Sequence, residues 1–479
     1  MRRIKKKWCD IPIAVKISIA FTVCGILQRC LSFITLPLFT RLLTTEQYGE
    51  FTVYQSWSGI LSIFITLNLA YGSFSTAMIK YENDRNGYIS AVEGIFLAFS
   101  LIFLAIYLPF RNLWNQLFEL PTEYVCIMIA EILGVNAIQL WSGKNRFEYK
   151  YVSVVIITVL MSILSPVTAF ILVTTSTEKG FARILGYAII SIAVGGIFFV
   201  YYVFKGKQLL KKEYWKYALG FNVPLLAYYL SQSIFNQSDR IMISHMVGKD
   251  KAAIYGVAYS LAMLMTFVLN AINNAYLPWF YTKIKEGNSD NKRISLIISG
   301  VLASLLLIVI WFAPEIIWIL AGEEYVEAVH VVPPVAISLL LLFYAQVFID
   351  VEFYYEEKKK LVYASVIAAI SNIVLNLIFI NIMGYVAAAY TTLFSYFVFV
   401  AANYLAMKKT LRDNKLNDNL FDYKGMIYLF LLFAFISYMG VFFFEYIYLR
   451  LGFFICFLII LLIKRKQLTR VINILIKKN

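Results

Sequence analysis

The residues with chemistry to offer are the few ionisable and amide side chains that interrupt long apolar runs. Arg29, with Gln28 beside it, lies in the run 13–42. Asp239 and Arg240 stand together in the run 217–246, and Glu131 lies in the run 120–142. An ionised side chain at the centre of a membrane helix costs about 2.5–3.5 kcal/mol on insertion scales, so each is a candidate for function. The Arg29 fork can hold a phosphate through two parallel hydrogen bonds. Its alternatives are to snorkel or to pair with Glu131. Glu131 is either that partner or a seat for a coupling ion, H+ or Na+. Asp239 and Arg240 could contact substrate or form a self-neutralising ion pair near the outer surface. Gln55, Asn68, Asn136, Gln139, Asn270, Asn273 and Asn274 could line a polar cleft. Asn372 and Asn376, four apart on one helix face, fit interhelical bonding better. Lys16 reads as a snorkelling residue, and Arg41 as one that closes a helix end. The five cysteines are scattered and the two histidines far apart, so neither a metal site nor a disulfide framework is expected.

The elements that must position these groups follow from composition. The chain has 479 residues, 61% hydrophobic and 15% charged, with a mean hydropathy of +0.73. So much apolar surface cannot be hidden from water, and the solvent must be lipid. Apolar segments able to cross a bilayer fall near 13–42, 48–71, 88–110, 120–142, 151–174, 180–204, 217–246, 252–277, 294–320, 330–350, 361–382, 384–407, 424–444 and 446–464. Between the first two lies a polar hairpin at Thr44–Glu50, with Gly49 as its breaker and Thr44 or Thr45 as a helix cap. Pro37, Pro166, Pro224 and Pro314 read as kinks. The net charge of +15 reads as topology rather than affinity for nucleic acid. With the amino terminus inside, most of the 43 Lys and Arg gather at the termini and in alternate loops. Lys16 and Arg29 fall within the first run. Arg41, Arg111, Lys179, Arg183, Arg240, Lys249, Lys251 and Arg450 fall outside. This positive-inside bias places both termini in the cytoplasm.

The chain also repeats itself. Tyr48-Gly49 recurs as Tyr255-Gly256, Pro109 with Trp114 and Glu123-Tyr124 as Pro314 with Trp318 and Glu324-Tyr325, and RFEYK at Arg146–Lys150 as YYEEK at Tyr354–Lys358. Three matches in order argue for an all-α integral membrane protein of about 14 spans. Two six-helix lobes, 1–210 and 211–410, would be related by a pseudo-twofold axis along the membrane normal. Two further helices and a basic tail would fill 411–479. A cleft between such lobes is the expected substrate site.

Four stretches resemble the Wzx-like polysaccharide flippases, a branch of the superfamily that includes the MATE exporters. They are RLLTTEQYGEFTVYQS (Arg41–Ser56), NQSDRIMISHMVGKDKAAIYGVAYSL (Asn236–Leu261), PEIIWILAGEEYVEAVHVVP (Pro314–Pro333) and SNIVLNLIFINIMGYVAAAYTTLFSY (Ser371–Tyr396). The resemblance implies a carrier that moves a polyprenyl-diphosphate-linked oligosaccharide from the inner to the outer leaflet of a bacterial inner membrane. Polysaccharide polymerase and other assembly proteins would be its partners. The residues fit that task independently, because a diphosphate and a sugar want a cationic cleft lined by hydroxyls and amides. A MATE-like cation-coupled antiporter is the alternative, although it would want a compact acidic cleft. A membrane-embedded glycan polymerase or ligase would need a sizeable outside loop combining His, Asp and Arg, which the sequence lacks. Reporter fusions near Lys211, Lys292, Lys359 and Lys415 should read cytoplasmic. A periplasmic signal at Lys211 would break both the topology and the repeat.

Overall fold

The computed structural model describes residues 13–286, 291–355, 358–414, 420–452 and 454–455. Among them are helices and turns and no strand. The long helices are α1 (Ile13–Leu42), α2 (Thr45–Thr66), α4 (Arg85–Tyr107), α6 (Thr122–Phe147), α7 (Tyr151–Thr175), α8 (Lys179–Gly206), α10 (Leu226–Met246), α11 (Lys249–Glu286), α12 (Asn291–Trp311), α14 (Val332–Tyr354), α15 (Lys358–Met383), α16 (Ala387–Asp413) and α17 (Tyr423–Phe442). Short helices α3 (Phe74–Lys80), α5 (Arg111–Phe118), α9 (Lys212–Asn222) and α13 (Ala313–Ala321) sit between them. Each expected run up to 424–444 holds one long helix. The last, 446–464, is described only as far as 455.

Among the described residues, eleven helices are long and apolar enough to cross a membrane. The protein is an all-α, multi-pass membrane protein. Its surface confirms the solvent. Val152, Ile156, Leu160, Leu164, Val167 and Ile171 form an exposed apolar stripe along α7 at near-helical spacing. Tyr363, Ile367, Ile370, Val374 and Leu377 do the same on α15. A soluble helix buries such a stripe, whereas here it faces outward, as lipid allows. The long helices outside the eleven are α2 and α10. These carry much of the polar material, including Gln55, Gln232, Asn236, Asp239 and Arg240.

Several boundaries differ from the sequence reading, each for a local reason. Gly49 does not break the first hairpin. Thr44 accepts from the Gln47 amide at 3.3 Å, and Gln47 Oε1 accepts from the Thr44 N–H at 3.2 Å. This capping box starts α2 at Thr45 and leaves Gly49 inside the helix. Pro224 breaks the run 217–246 rather than kinking it. A single 3-10 turn, Val223–Leu225, separates α9 from α10. Pro314 opens α13 rather than bending α12, because a proline in a first turn has no N–H to lose. Asn68 lies in the turn after α2, with φ of 54°, where its carbonyl accepts from Asn222 at 3.4 Å.

The chain divides into two compact units, Met1–Gln237 and Ser238–Asn479. In the first, α8 packs on α6 and α7 through small residues. A Cβ on Gly195 would lie 2.2 Å from the Gly134 carbonyl, and one on Gly186 2.3 Å from Ala169 Cα. Such contacts bring backbones together where lipid offers no hydrophobic drive between helices. In the second unit, α14 is buried almost throughout and packs on α11, α12, α16 and α17. Between the start of α11 and the 3-10 helix Glu323–His330, the Lys251 ammonium lies 2.6 Å from Glu327 and holds that carboxyl below its usual range. The helix that begins at 447 is held to the same unit by Arg450. Its guanidinium meets Glu315 at 2.6 and 2.9 Å and the Trp311 carbonyl at 2.6 Å. Arg450 is buried and Glu315 is about one third exposed, so Arg450→Ala removes the hydrogen bonds and leaves a carboxylate that water can reach. Arg450→Ala should therefore lower stability by about 2 kcal/mol. The check is thermal unfolding in detergent, with Glu315→Gln causing a smaller loss.

Candidate functional site

The first unit builds its polar features where α1, α2, α6, α7 and α8 pack. Two phenol–carboxylate bonds tie α2 to α6 in opposite senses. Tyr54 of α2 donates to Glu131 of α6 at 2.7 Å, and Tyr124 of α6 donates to Glu50 of α2 at 3.3 Å. Glu131, proposed from sequence as an ion seat or a partner for Arg29, therefore has a phenol on one oxygen. Arg29 is carried by α1, and its side chain lies outside the described residues. Gln28 is described. It lines a cavity of about 230 Å³ with Thr35, Ser162, Ser165 and Tyr187, so four hydroxyls and an amide share one space. Leu31, Met161 and Pro166 complete its wall.

Other expected residues are placed as follows. Gln55 is exposed. Asn136 is buried, and its amide donates to Ile132 O of its own helix at 2.8 Å. Asn270 and Asn274 are exposed on α11, while Asn273 between them is buried. Arg41 lies in the last turn of α1, as expected of a residue that closes a helix.

In the second unit a polar network forms around Asp239, which is 3% exposed. Asp239 and Arg240 are adjacent on α10 and so point to different sides. Asp239 Oδ1 accepts from Asn376 of α15 at 2.7 Å. Its Oδ2 accepts from Tyr255 of α11 at 2.5 Å and from Thr392 of α16 at 2.6 Å. Asn372 accepts from Ser238 at 2.9 Å and donates to Thr392 at 3.1 Å. Thr391 donates to Asn376. Asn372 and Asn376 therefore do bond between helices, around a carboxylate. Arg240 lies with its guanidinium centre 4.3 Å from the Tyr259 ring, a cation–π contact.

Among the buried charges that escaped the sequence reading are Arg183, Glu93 and Asp350. Arg183 was assigned to an outside loop, yet it sits one turn into α8 at 4% exposure. Its guanidinium centre lies 3.7 Å from the Phe51 ring, 4.2 Å from Tyr48 and 4.7 Å from Phe39. Among the described residues, its Nε and Nη1 have no hydrogen-bond partner. Glu93 on α4 is fully buried, and neither oxygen has a partner among the described residues. Asp350 on α14 accepts from Gln346 at 3.2 Å through Oδ1, while Oδ2 has no partner there. The signal was available for all three, since each falls within an expected apolar run, Arg183 near the start of 180–204. Among the described residues, no group of three or more His, Cys, Asp and Glu stands together.

The site lies in a bundle of membrane helices whose first unit holds a polar-lined cavity. The family described as polysaccharide biosynthesis protein matches residues 14–283, and the MatE family matches 224–378. The chain belongs to the polysaccharide biosynthesis protein family. Lsg locus protein 1 of Haemophilus influenzae is 24% identical over 367 residues, covering 74% of this chain and 88% of that protein. The fold is similar to that of a multidrug resistance MATE family transporter in an inward-facing conformation. That likeness has a TM-score of 0.62 and 16% identity, over 81% of this chain and 95% of that one. It is also similar to the lipid II flippase MurJ in an inward closed conformation. There the TM-score is 0.59 and the identity 16%, over 90% of this chain and 100% of that one.

The Asp239 network can be tested as a unit. Thr392→Val should cost about 1 kcal/mol, and Asn376→Leu, which strips Oδ1 of its donor, about 2 kcal/mol. Unfolding midpoints in detergent should show the double variant losing less than the sum, because both changes act on one carboxylate.

Proposed function

We propose that the protein moves a polyprenyl-diphosphate-linked oligosaccharide repeat unit across the bacterial inner membrane by alternating access. Its product would feed a surface polysaccharide such as O-antigen, capsule or exopolysaccharide, through a polymerase and other assembly proteins. The observation that carries this reading is the polysaccharide biosynthesis family match over residues 14–283. The hydroxyl- and amide-lined cavity at Gln28 supports it, because a sugar is read by such groups. In this reading Arg29 and Gln28 contact the diphosphate. Gln55, Asn270 and Asn274, exposed on their helices, serve the sugar, with Asn136 and Arg240 as further contacts. An apolar cavity of about 320 Å³, lined by Tyr344, Phe348, Val400, Tyr404, Phe430 and Leu431 among others, suits part of a prenyl tail. A coupling ion, H+ or Na+, would sit at Glu131 or in the oxygen-rich network of Asp239. Transport needs no bond to break, and the protein is proposed not to be an enzyme. Both termini are proposed to be cytoplasmic.

The MatE match over 224–378 favours a second reading, a cation-coupled exporter of small molecules. Deleting the gene separates the two. Lipid-linked glycan accumulating on the cytoplasmic leaflet supports the flippase, whereas unchanged glycans with new drug sensitivity support the exporter. Arg29 sharpens the test. Arg29→Lys should keep part of the export, since Lys holds phosphate as a point charge, and Arg29→Ala should abolish it at normal membrane abundance. If Arg29 instead pairs with Glu131, Arg29→Ala lowers abundance, and Arg29→Glu with Glu131→Arg restores it. Full export by a well-expressed Arg29→Ala protein removes Arg29 from the site.

A further inference from the structure

We propose that Arg183 is a binding site for a phosphate borne on a lipid. A guanidinium carries five N–H donors and keeps its charge. This one is almost completely buried, and Nε and Nη1 have no hydrogen-bond partner among the described residues. Nor does it have an ion-pair partner there. The rings of Phe39, Tyr48 and Phe51 stabilise the charge through their faces, but they offer no lone pairs to its N–H groups. Glu50, an acid on the same helix as Tyr48 and Phe51, is bonded by Tyr124, and its carboxylate packs against Gly180. The amino-terminal end of α8 adds partial positive charge of the same sign. The guanidinium thus has donors to spare among the described residues.

An Arg fork matches the oxygens of a phosphate. Depth selects the carrier of that phosphate. Arg183 is four residues past the start of α8, about 6 Å along the helix. The ends of helices long enough to cross a bilayer lie at headgroup depth rather than in bulk water. A route also exists. Tyr187, one turn further along α8, packs at 6.0 Å from both Phe39 and Phe51. It also lines the cavity shared with Gln28, Thr35, Ser162 and Ser165. A phosphorylated headgroup in that cavity meets hydroxyls and an amide, and Phe39 and Phe51 touch both Tyr187 at its wall and the Arg183 guanidinium. Only the assignment of this phosphate to a glycan carrier rests on the flippase reading.

The test uses the full-length protein in phosphatidylcholine nanodiscs. The probes are farnesyl diphosphate, with farnesol as control, and phosphatidylglycerol built into the disc. Farnesyl diphosphate should raise the unfolding midpoint where farnesol does not, and Arg183→Gln should weaken its binding by tenfold or more. Arg183→Lys keeps the charge and the stem in the cage. It should fold and bind several-fold more weakly, because the fork is lost. A phosphatidylglycerol effect that also disappears in Arg183→Gln identifies a bulk lipid headgroup. An effect of farnesyl diphosphate alone identifies a carrier-type diphosphate. Wild-type affinity in either variant overturns the proposal and leaves Arg183 as a cation–π staple, as does a wild-type protein that binds neither probe. Export of lipid-linked glycan, measured on the same variants, keeps the two claims apart. A wild-type protein that binds through Arg183 but exports nothing refutes the flippase reading alone. Equal binding and export by wild type and Arg183→Gln refute the site alone.

Discussion

Lipid offers no hydrogen bonds, and the rest of this structure follows from that. Each backbone amide and carbonyl in the spans must be met inside its own helix, which is why the chain is helical wherever it is apolar. Apolar side chains can then face outward at no cost, as the stripes on α7 and α15 do. The few polar side chains must find each other. Tyr54 and Glu131, Tyr124 and Glu50, and the ring of donors around Asp239 are the result. Because such bonds cannot be exchanged for water, they also fix which helices are neighbours. α2 meets α6 in one register only, the one that satisfies both phenol–carboxylate pairs.

The same constraint explains what the sequence made legible. A run of about twenty apolar residues favours a helix in a membrane, so the order of the thirteen described long helices could be read directly. Thr44 could be read as a cap because its hydroxyl acts on atoms three residues away. The breaks at Pro224 and Pro314 were less legible. Whether a proline kinks, splits or opens a helix depends on who takes up the freed backbone groups, and that is decided by neighbours far away in sequence. Side-chain partners were hidden for the same reason. Asp239 was visible as a buried acid, but its donors lie 16, 137 and 153 residues along the chain. Asn372 and Asn376 were recognised as interhelical bonding residues, without the carboxylate that they enclose.

Residues that break the rule are the ones to ask about. Asp239 obeys it, since donors on three helices hold its two oxygens. Glu93 and Asp350 break it, each with at least one oxygen unmet among the described residues. For an acid, that exception has a simple remedy, because a carboxyl group can take up a proton and cease to be a charge. Arginine has no such remedy in a protein. A buried Arg can lie over aromatic faces, as Arg183 does, or be met by an anion, as Arg450 is by Glu315. Arg450 shows how this chain treats a buried guanidinium that it means to lock in place. It supplies a bidentate carboxylate and a backbone carbonyl. Arg183 is given rings, which steady the charge while leaving its N–H groups for something else. The anion we propose for those N–H groups is a phosphate that arrives on a lipid.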